Sequence, residues 1–342
     1  MSLSAQPVEL TRPHIVSSVE DVTDQLPHRP PFKIVLKNDL EQPSGSFKLR
    51  GIGNLIWQSL KKYQGKKCHV YASSGGNAGL AAAYSANYYN IPCTVVLPTI
   101  SKKSVQDQLI KYNAKIILFG QSIYEADNYL KSLMESIDKS IQPIYCHPFN
   151  NPIIWQGHAS IIDELADQID VSKLKGIVCS CGGGGLYNGI YQGLKNHNLD
   201  TKILLIETNQ APTLCQSIKH NQLITLKSVN SLATSLACSY TTQQSIDNYH
   251  DQSIIQTKLE LIDDLDAAKG CIDYYYNQHK VVEPACGASL STIYSKIDLL
   301  YKHFGDLNHD DIVVIVACGG SCTSKQDLKS FEKMIARDQV KL

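Results

Sequence analysis

The sequence predicts an α/β protein of two lobes, each a mostly parallel sheet flanked by helices. Short β-branched runs alternate with helix-period stretches along the 342 residues, and the runs are continuously apolar. Such runs are typical of parallel strands buried on both faces. The length suffices for two modest domains or one large one. No linker or repeat separates the domains, so connectivity alone predicts a large domain, residues 1–53 and 149–342, with a small domain, residues 54–148, inserted into it.

Seven segments match buried strands because they are short, apolar and rich in β-branched residues. In chain order they are CHVYA (68–72), CTVVLP (93–98), KIILFG (115–120), PIYCH (143–147), KGIVCSC (175–181), KILLIE (202–207) and DIVVIVAC (311–318).

Helices are predicted between these runs, where apolar residues recur at helical spacing. The clearest are AGLAAAYSANYY (78–89), SIYEADNYLKSLMESIDK (122–139), PIIWQGHASIIDELADQI (152–169) and DLDAAKGCIDYYYNQHK (264–280). A helix between two strands supplies the crossover that a parallel connection requires.

The charge balance argues against a nucleic-acid surface. Lysine plus arginine equals aspartate plus glutamate, at 32 each, and no basic stripe or charged tail is present. The N-terminus lacks the basic flank and apolar core of a signal peptide, and no apolar run reaches the length of a membrane span. We therefore expect a cytoplasmic protein that binds neither nucleic acid nor membrane.

The eleven cysteines favour free thiols in a reducing compartment. Their number is odd, and several lie inside apolar runs, which is typical of buried thiols rather than of a disulfide framework. A closed zinc site is not indicated either. There is no Cys-x-x-Cys pair, and the spacings Cys179/Cys181 and Cys318/Cys322 suit tetrahedral ligation poorly.

Three glycine-rich turns follow predicted strands: SSGGNAG (73–79), CGGGGLYNG (181–189) and ACGGSCTS (317–324). Such turns direct backbone N–H groups outward at the positive end of a helix, which suits a phosphate or a carboxylate. The second turn is not a dinucleotide fingerprint, because Tyr187 and Asn188 stand where the third glycine would be required. The Lys-Ser or Lys-Thr of a phosphate loop is also missing. A tight structural turn would need only one or two glycines, so four in a row indicate that a bulky group lies close to the backbone.

Six motifs together resemble one enzyme family. PSGSFKLRG (43–51), SSGGNAG, CGGGGL, ETNQA (207–211), VEPACGA (282–288) and CGGS (318–321) occur in the order found in pyridoxal-phosphate enzymes of the tryptophan-synthase β fold, also called fold type II. Among these, the chain is most similar to the serine/threonine dehydratases, and closest to the L-serine dehydratases. NPIIWQGHASI (151–161) also resembles that subfamily.

The resemblance implies a lyase that releases water and ammonia from L-serine to give pyruvate, and that also converts L-threonine to 2-oxobutanoate. It further implies pyridoxal 5′-phosphate as cofactor, an amino acid as substrate, a homodimer, and a place in amino-acid catabolism and gluconeogenesis. Each lobe would be one part of a fold type II enzyme, with the cofactor in the large domain.

By resemblance, Lys48 is the Schiff-base lysine and Phe47 the neighbour that packs beside the cofactor. A lysine amine must be neutral to attack an aldehyde, so burial that lowers its pKa is useful at this position. Once the substrate amine has displaced it, the free amine of Lys48 can remove the α-proton. One residue would then serve two steps.

The resemblance also assigns the remaining contacts. Asn77 would bind the ring 3′-oxygen, and Cys318 would partner the ring nitrogen as a neutral thiol, making the ring a weaker electron sink. The cofactor phosphate would lie against Gly182, Gly183, Gly184, Gly185 and Leu186. The substrate would contact Ser73, Ser74, Gly75 and Asn77.

A monovalent-cation site is implied by ETNQA. Glu207 would contribute its carboxylate and Ala211 its backbone carbonyl, and mixed oxygen ligands of this kind suit a hard cation. Further carbonyls would come from Gly182, Leu236 and Cys238. Potassium is the cation that the family suggests.

Two departures bear on the reaction. Serine racemase-like relatives carry a serine where this chain has Gly75, so the second acid–base group that racemisation needs is missing. Biosynthetic threonine dehydratases commonly have a histidine where this chain has Ala78. A serine racemase and a cysteine synthase-like β-replacement transferase remain alternatives. A catalytically inactive binding protein is harder to reconcile with intact Lys48 and Asn77.

Overall fold

The computed structural model describes residues 10–101 and 103–339 and contains two separate sheets. The larger sheet has the order β1-β2-β10-β7-β8-β9, and all its neighbours are parallel except β1 and β2. Its strands are β1 (Val19–Asp21), β2 (Lys33–Lys37), β7 (Leu174–Ser180), β8 (Lys202–Thr208), β9 (Thr257–Ile262) and β10 (Ile312–Val316).

The smaller sheet is wholly parallel and has the order β5-β4-β3-β6. Its strands are β3 (Lys67–Ala72), β4 (Cys93–Leu97), β5 (Lys115–Leu118) and β6 (Ile141–Tyr145). All four lie inside residues 54–148, and the other six strands lie outside them. This distribution agrees with the domain boundaries predicted from the sequence, and the two domains remain a proposal. Residues 1–9, 102 and 340–342 of those domains lie outside the described residues.

Helices connect the strands in both sheets. They are α1 (Lys48–Lys62), α2 (Asn77–Tyr88), α3 (Lys103–Lys111), α4 (Ile123–Glu135), α5 (Pro152–Gln168), α6 (Gly185–Asn196), α7 (Thr213–Lys219), α8 (Gln243–His250), α9 (Asp264–Gln278), α10 (Pro284–Tyr294), α11 (Asp298–Phe304) and α12 (Lys325–Gln339). Short 3₁₀ turns occur at Thr23–Gln25, Asp39–Glu41 and Val171–Lys173. The predicted α/β class with two largely parallel sheets is therefore confirmed.

Three hydrophobic clusters form among the described residues. One surrounds the large sheet, where every residue of β10 is buried. The other two pack against the small sheet, where every residue of β4 is buried; Val95 belongs to the second cluster and Val96 to the third. Eight of the eleven cysteines are buried. Within the described residues, the helices are too short or too polar to cross a bilayer.

The parallel strands bring the glycine turns together. Ser73 follows β3, Gly182 follows β7 and Cys318 follows β10, so each turn lies at the carboxyl end of its strand. Ligands of α/β sheets bind at these ends, because the connecting loops leave a crevice there. The second and third turns share the edge of the large sheet, and the first turn, from the small sheet, meets the third through the hydrogen bond from the Ser321 N–H to Asn77 Oδ1 at 3.1 Å.

Candidate active site

Lys48 begins α1 and lies between the two sheets, near Pro148, which follows β6, and Cys318, which follows β10; we call this region between the sheets the cleft. Its Nζ donates a hydrogen bond of 2.6 Å to the carbonyl oxygen of Pro148 and lies 5.1 Å from the centre of the Phe47 ring. Burial of the amine lowers the pKa of Lys48, opposed by the nearby thiols of Cys238 and Cys318. A larger neutral fraction makes this amine both a better nucleophile and a better base at neutral pH.

The turn before Lys48 is fixed against the third glycine turn. Ser46 and Gly319 form an antiparallel bridge, and the Phe47 N–H donates to the Cys318 carbonyl at 3.1 Å. Gly45 has a φ of +83°, which favours glycine there. These contacts hold Lys48 beside Cys318, although 270 residues separate them in sequence.

A buried charge network anchors the first turn of α1. The Arg50 guanidinium contacts Asp39 at 2.7 Å and Glu164 at 2.5 Å, and Lys37 contacts Glu164 at 2.6 Å. Arg50 and Asp39 are fully buried, so each charge depends on its partners for compensation. Because Arg50 is two residues after Lys48, the network fixes the position of the helix that carries the amine.

The second glycine turn leads from β7 into α6 and has room only for glycine. Gly184 has a φ of +86°, and a Cβ there would stand 1.9 Å from Ser245 Oγ and 3.0 Å from Thr241 Oγ1. A Cβ at Gly183 would meet the Phe149 ring at 2.3 Å. The Thr241 hydroxyl is buried and has no hydrogen-bond partner among the described residues. This cradle at a helix N-terminus fits a phosphate group.

Asn77 is held at the N-terminus of α2 with its amide orientation defined. Its Nδ2 donates to both carboxylate oxygens of Glu283, at 3.2 and 3.0 Å, and to Ser235 Oγ at 3.4 Å. Its Oδ1 accepts from the Ser321 N–H at 3.1 Å. A carboxylate on one side and an N–H on the other exclude the flipped amide.

Ser73 and Ser74 lie in the first glycine turn, but their hydroxyls have partners within the protein. Ser73 Oγ donates to Asp127 at 2.7 Å, and Tyr145 donates to the same oxygen at 2.7 Å. Ser74 Oγ accepts from the Gly76 N–H at 3.2 Å. Their predicted role in holding the substrate stays a prediction, and these partners favour backbone N–H groups of the turn as the donors.

Cys318 is buried and lies two residues after the end of β10. A hydrogen bond with the Cys286 thiol and burial together raise the pKa of Cys318 well above its ordinary value. The thiol is therefore neutral at physiological pH, as a neutral partner for a ring nitrogen requires.

Glu207 is a fully buried carboxylate at the end of β8. It accepts N–H groups of Leu214 and Cys215, each at 2.8 Å, and no salt bridge to it occurs within the described residues. Burial raises the pKa of Glu207 to about 8, against the effect of these N–H donors. A bound cation would compensate this carboxylate.

The other predicted cation ligands lie around the same region. The Cys238 carbonyl accepts from Thr213 Oγ1 at 2.7 Å, and a Cβ on Gly182 would stand 2.9 Å from the Leu236 carbonyl oxygen. Ala211 is fully buried in the turn after β8. The geometry of cation coordination stays a prediction.

Comparison with known proteins identifies the family. A profile described as pyridoxal-phosphate dependent enzyme matches residues 21–319. The chain belongs to the pyridoxal-phosphate-dependent enzymes. It is 43% identical over 328 residues to a catabolic L-serine/threonine dehydratase of Saccharomyces cerevisiae, covering 91% of this chain and 89% of the relative. It is 34% identical over 303 residues to an L-serine dehydratase/L-threonine deaminase of Mus musculus, covering 87% and 89%.

Solved structures of pyridoxal-phosphate enzymes share the fold. A fungal L-serine ammonia-lyase from Rhizomucor miehei superposes with a TM-score of 0.83 at 24% identity, covering 94% of this chain and 98% of the other. Maize serine racemase superposes with a TM-score of 0.79 at 23% identity, covering 95% and 94%. The motif-based recognition, the fold type, the lyase class and the pyridoxal-phosphate requirement predicted from the sequence are thereby confirmed.

The residues of this pyridoxal-phosphate enzyme fit its cofactor. A glycine cradle with an unpartnered Thr241 hydroxyl accommodates a phosphate, and a desolvated lysine amine lies in the same cleft. Sequence reasoning did not single out Glu283, His147, Phe149 or Tyr240. Glu283 lies inside the VEPACGA motif, so that motif was the available signal for it. His147 ends a predicted strand and gave no such signal.

Proposed function

We propose that this protein is an L-serine ammonia-lyase that also acts on L-threonine, giving pyruvate or 2-oxobutanoate together with ammonia. The observation that carries the proposal is the desolvated amine of Lys48, held on the Pro148 carbonyl where the glycine turns meet. The 43% identity to a catabolic L-serine/threonine dehydratase supports the choice of substrates.

Lys48 has two tasks in this proposal. It first holds the cofactor covalently and then, as a free amine, removes the α-proton of the substrate. When bound, pyridoxal phosphate withdraws electrons from the α-carbon and so weakens its C–H bond. The low pKa of Lys48 serves both tasks, because each requires an unprotonated amine.

We assign the substrate carboxylate to the first glycine turn. Since the Ser73 hydroxyl donates to Asp127 and the Gly76 N–H donates to Ser74 Oγ, the donors in this proposal are the N–H groups of Ser74, Gly75 and Asn77 at the N-terminus of α2. Asn77 would bind the 3′-oxygen of the cofactor through the amide hydrogen that it shares weakly with Ser235. Glu283 keeps the other amide hydrogen.

A potassium ion at Glu207 is part of the proposal. The supporting observations are a buried carboxylate that forms no salt bridge within residues 10–101 and 103–339, and the carbonyls of Ala211, Leu236 and Cys238 in the same region. The ion would brace the glycine cradle, because Gly182 lies against Leu236. The rate of keto-acid formation, compared in potassium-free and potassium-containing buffers, tests whether the ion is required.

The homodimer, the cytoplasmic location and the role in amino-acid catabolism and gluconeogenesis are also proposed, on the family resemblance alone. Sedimentation velocity of the purified holoprotein tests the dimer, and fractionation of cells tests the location.

The activity itself is tested with purified holoprotein and each amino acid separately. We expect keto acid and ammonia in equal amounts from L-serine and L-threonine, and no product from Lys48→Ala. Chiral chromatography measures D-serine, and O-acetylserine with sulfide measures cysteine formation. Faster formation of D-serine or cysteine than of pyruvate would reject the proposal in favour of a racemase or a transferase.

A further inference from the structure

Three consecutive residues after β6 contact three different parts of the site. His147 Nε2 lies 2.9 Å from the Tyr240 hydroxyl, and the Pro148 carbonyl accepts from Lys48 Nζ at 2.6 Å. The Phe149 ring fills the space beside Gly183, where a Cβ would come within 2.3 Å of it. The carbonyl that holds the reactive amine therefore lies between two side chains with fixed partners.

The hydrogen bonds of His147 define its tautomer. Its Nδ1 accepts from the N–H groups of Phe149, at 3.2 Å, and Asn150, at 2.8 Å. An acceptor nitrogen carries no hydrogen, so the neutral ring has its hydrogen on Nε2 and donates it to the Tyr240 oxygen. Burial lowers the pKa of His147 to about 4, which keeps the ring neutral.

Aromatic packing restricts the same segment. The Phe149 ring meets the His147 ring edge-on at 4.7 Å and the Tyr240 ring at 5.2 Å. The Trp155 indole N–H donates to the Phe149 carbonyl at 2.7 Å. Within residues 10–101 and 103–339, the Tyr240 hydroxyl hydrogen-bonds only to His147. The effect of that hydroxyl on Lys48 therefore passes through His147 and the Pro148 carbonyl.

We propose that Tyr240 is a positioning residue for Lys48, acting through His147 to fix the Pro148 carbonyl that holds the lysine amine. This inference rests on the proposed role of Lys48 and adds to it the residues that set its position. The Pro148 carbonyl would hold the amine before it takes up the cofactor and again after it is released during turnover. Loss of the Tyr240 hydroxyl should slow both events.

Tyr240→Phe removes the hydroxyl and keeps the ring against Phe149. Tyr191→Phe is the matched control, because it also removes one tyrosine hydroxyl, which donates to Asp251 at 2.8 Å. We expect Tyr240→Phe to lower kcat, and the rate at which apoprotein attaches pyridoxal phosphate, by about five- to tenfold, the effect of one neutral hydrogen bond. KM should stay within twofold, and the control should behave as wild type.

A double-mutant cycle tests the route of the effect. His147→Asn keeps an acceptor near the Phe149 and Asn150 N–H groups but is too short to donate to Tyr240. We expect Tyr240→Phe to have no further effect in the His147→Asn background. An undiminished effect in that background would mean that the hydroxyl acts directly on the cleft, and would overturn the inference.

Unchanged rates in Tyr240→Phe would overturn it as well. If Tyr240→Phe lost its circular-dichroism spectrum, His147→Asn alone would carry the test, and wild-type rates in that variant would reject the inference. Attachment of cofactor requires no substrate. Failure of wild-type protein to attach the cofactor at Lys48 would contradict the proposed function, whereas normal attachment in both variants would contradict only the role of Tyr240.

Discussion

The amide of Asn77 donates to both carboxylate oxygens of Glu283, at 3.0 and 3.2 Å, across the cleft between the two sheets. Glu283 is 3% exposed and precedes α10, and it also accepts the Cys322 N–H at 2.9 Å. The residue that we assign to the 3′-oxygen of the cofactor is thus oriented by a carboxylate from the other lobe.

We predict that Glu283→Gln weakens cofactor binding by about tenfold and shifts the absorption band of the bound cofactor. The neutral amide is a weaker acceptor than a carboxylate and can turn an NH₂ group toward Asn77. Equilibrium dialysis and absorbance measure the two effects. Glu135→Gln, at an exposed site, is the control, and equal cofactor affinity in both variants would contradict the role of Glu283.

Lys48 should be the residue that carries the cofactor. After borohydride reduction of the holoprotein, peptide mapping should place the pyridoxyl group on Lys48 alone. Lys48→Ala should lose keto-acid formation completely, because no second amine is assigned to the cleft, while Lys62→Ala should keep it. A pyridoxyl group on another lysine of wild-type protein would refute the assignment.

Gly184→Ala should abolish cofactor retention, since its Cβ would stand 1.9 Å from Ser245 Oγ in the phosphate cradle. Gly65→Ala is a matched control, because Gly65 has a φ of +82° with nothing within 4 Å of its Cβ. Each change should lower the free energy of unfolding by about 1–2 kcal/mol, because alanine is strained in the left-handed conformation. Thermal unfolding measures that shared cost, and cofactor content separates the two variants. Normal cofactor content in folded Gly184→Ala would exclude this turn from the site.

Gly75→Ser should introduce some D-serine formation from L-serine. A Cβ at Gly75 would stand 3.2 Å from Val105 Cγ1 and 3.3 Å from Leu97 Cδ2, so small side-chain shifts must accommodate it. The added hydroxyl would supply the acid–base group for the second face of the substrate. Gly75→Ala adds the Cβ without the hydroxyl and should give no D-serine. Formation of D-serine by both variants would show that the added hydroxyl is not the cause of racemisation.

Glu207 should make the protein less stable as the pH rises in potassium-free buffer. Its folded pKa of about 8 lies above the ordinary value of 4.5, so the folded state binds more protons between these two pH values. The stability that this proton confers is complete below pH 4.5 and is lost as the pH rises toward 8, by up to about 1.4 kcal/mol per pH unit.

Urea unfolding at several pH values measures this dependence. Glu207→Gln should flatten it, because the amide does not titrate, and potassium should reduce it in the wild type by compensating the carboxylate. An unchanged slope in Glu207→Gln would show that other groups cause the dependence.

Local patterns predicted much of the fold. All seven predicted strands and four predicted helices form, because each is a continuous apolar run or a clear helical repeat. Strands β1, β2 and β9 were missed. β2 is only five residues long with a lysine at each end, and β9 mixes Lys258 and Glu260 with its apolar residues. Pairing with β10 and β8 makes these segments strands.

The site was only partly predictable, because its supporting contacts join distant residues. Motifs marked Lys48, Asn77 and the glycine cradle, whereas the partner of Asn77 lies 206 residues away at Glu283. The commitment of the Ser73 hydroxyl to Asp127 depends on how α4 packs beside β3. No sequence pattern encodes a contact of this kind.

The hydrogen bond between Lys48 and Pro148 has a mechanical consequence. The chain enters the small-sheet region through α1 and leaves it through residues 146–151, so this bond ties the entry to the exit. In a hinge motion, displacement grows with distance from the axis. If the small lobe swung about these two crossings, Asn77 in the turn at 73–77 would separate from Glu283 and Ser321 while the amine stayed nearly still. Such a motion would open the way for an amino acid while the amine that we propose as its base kept its place.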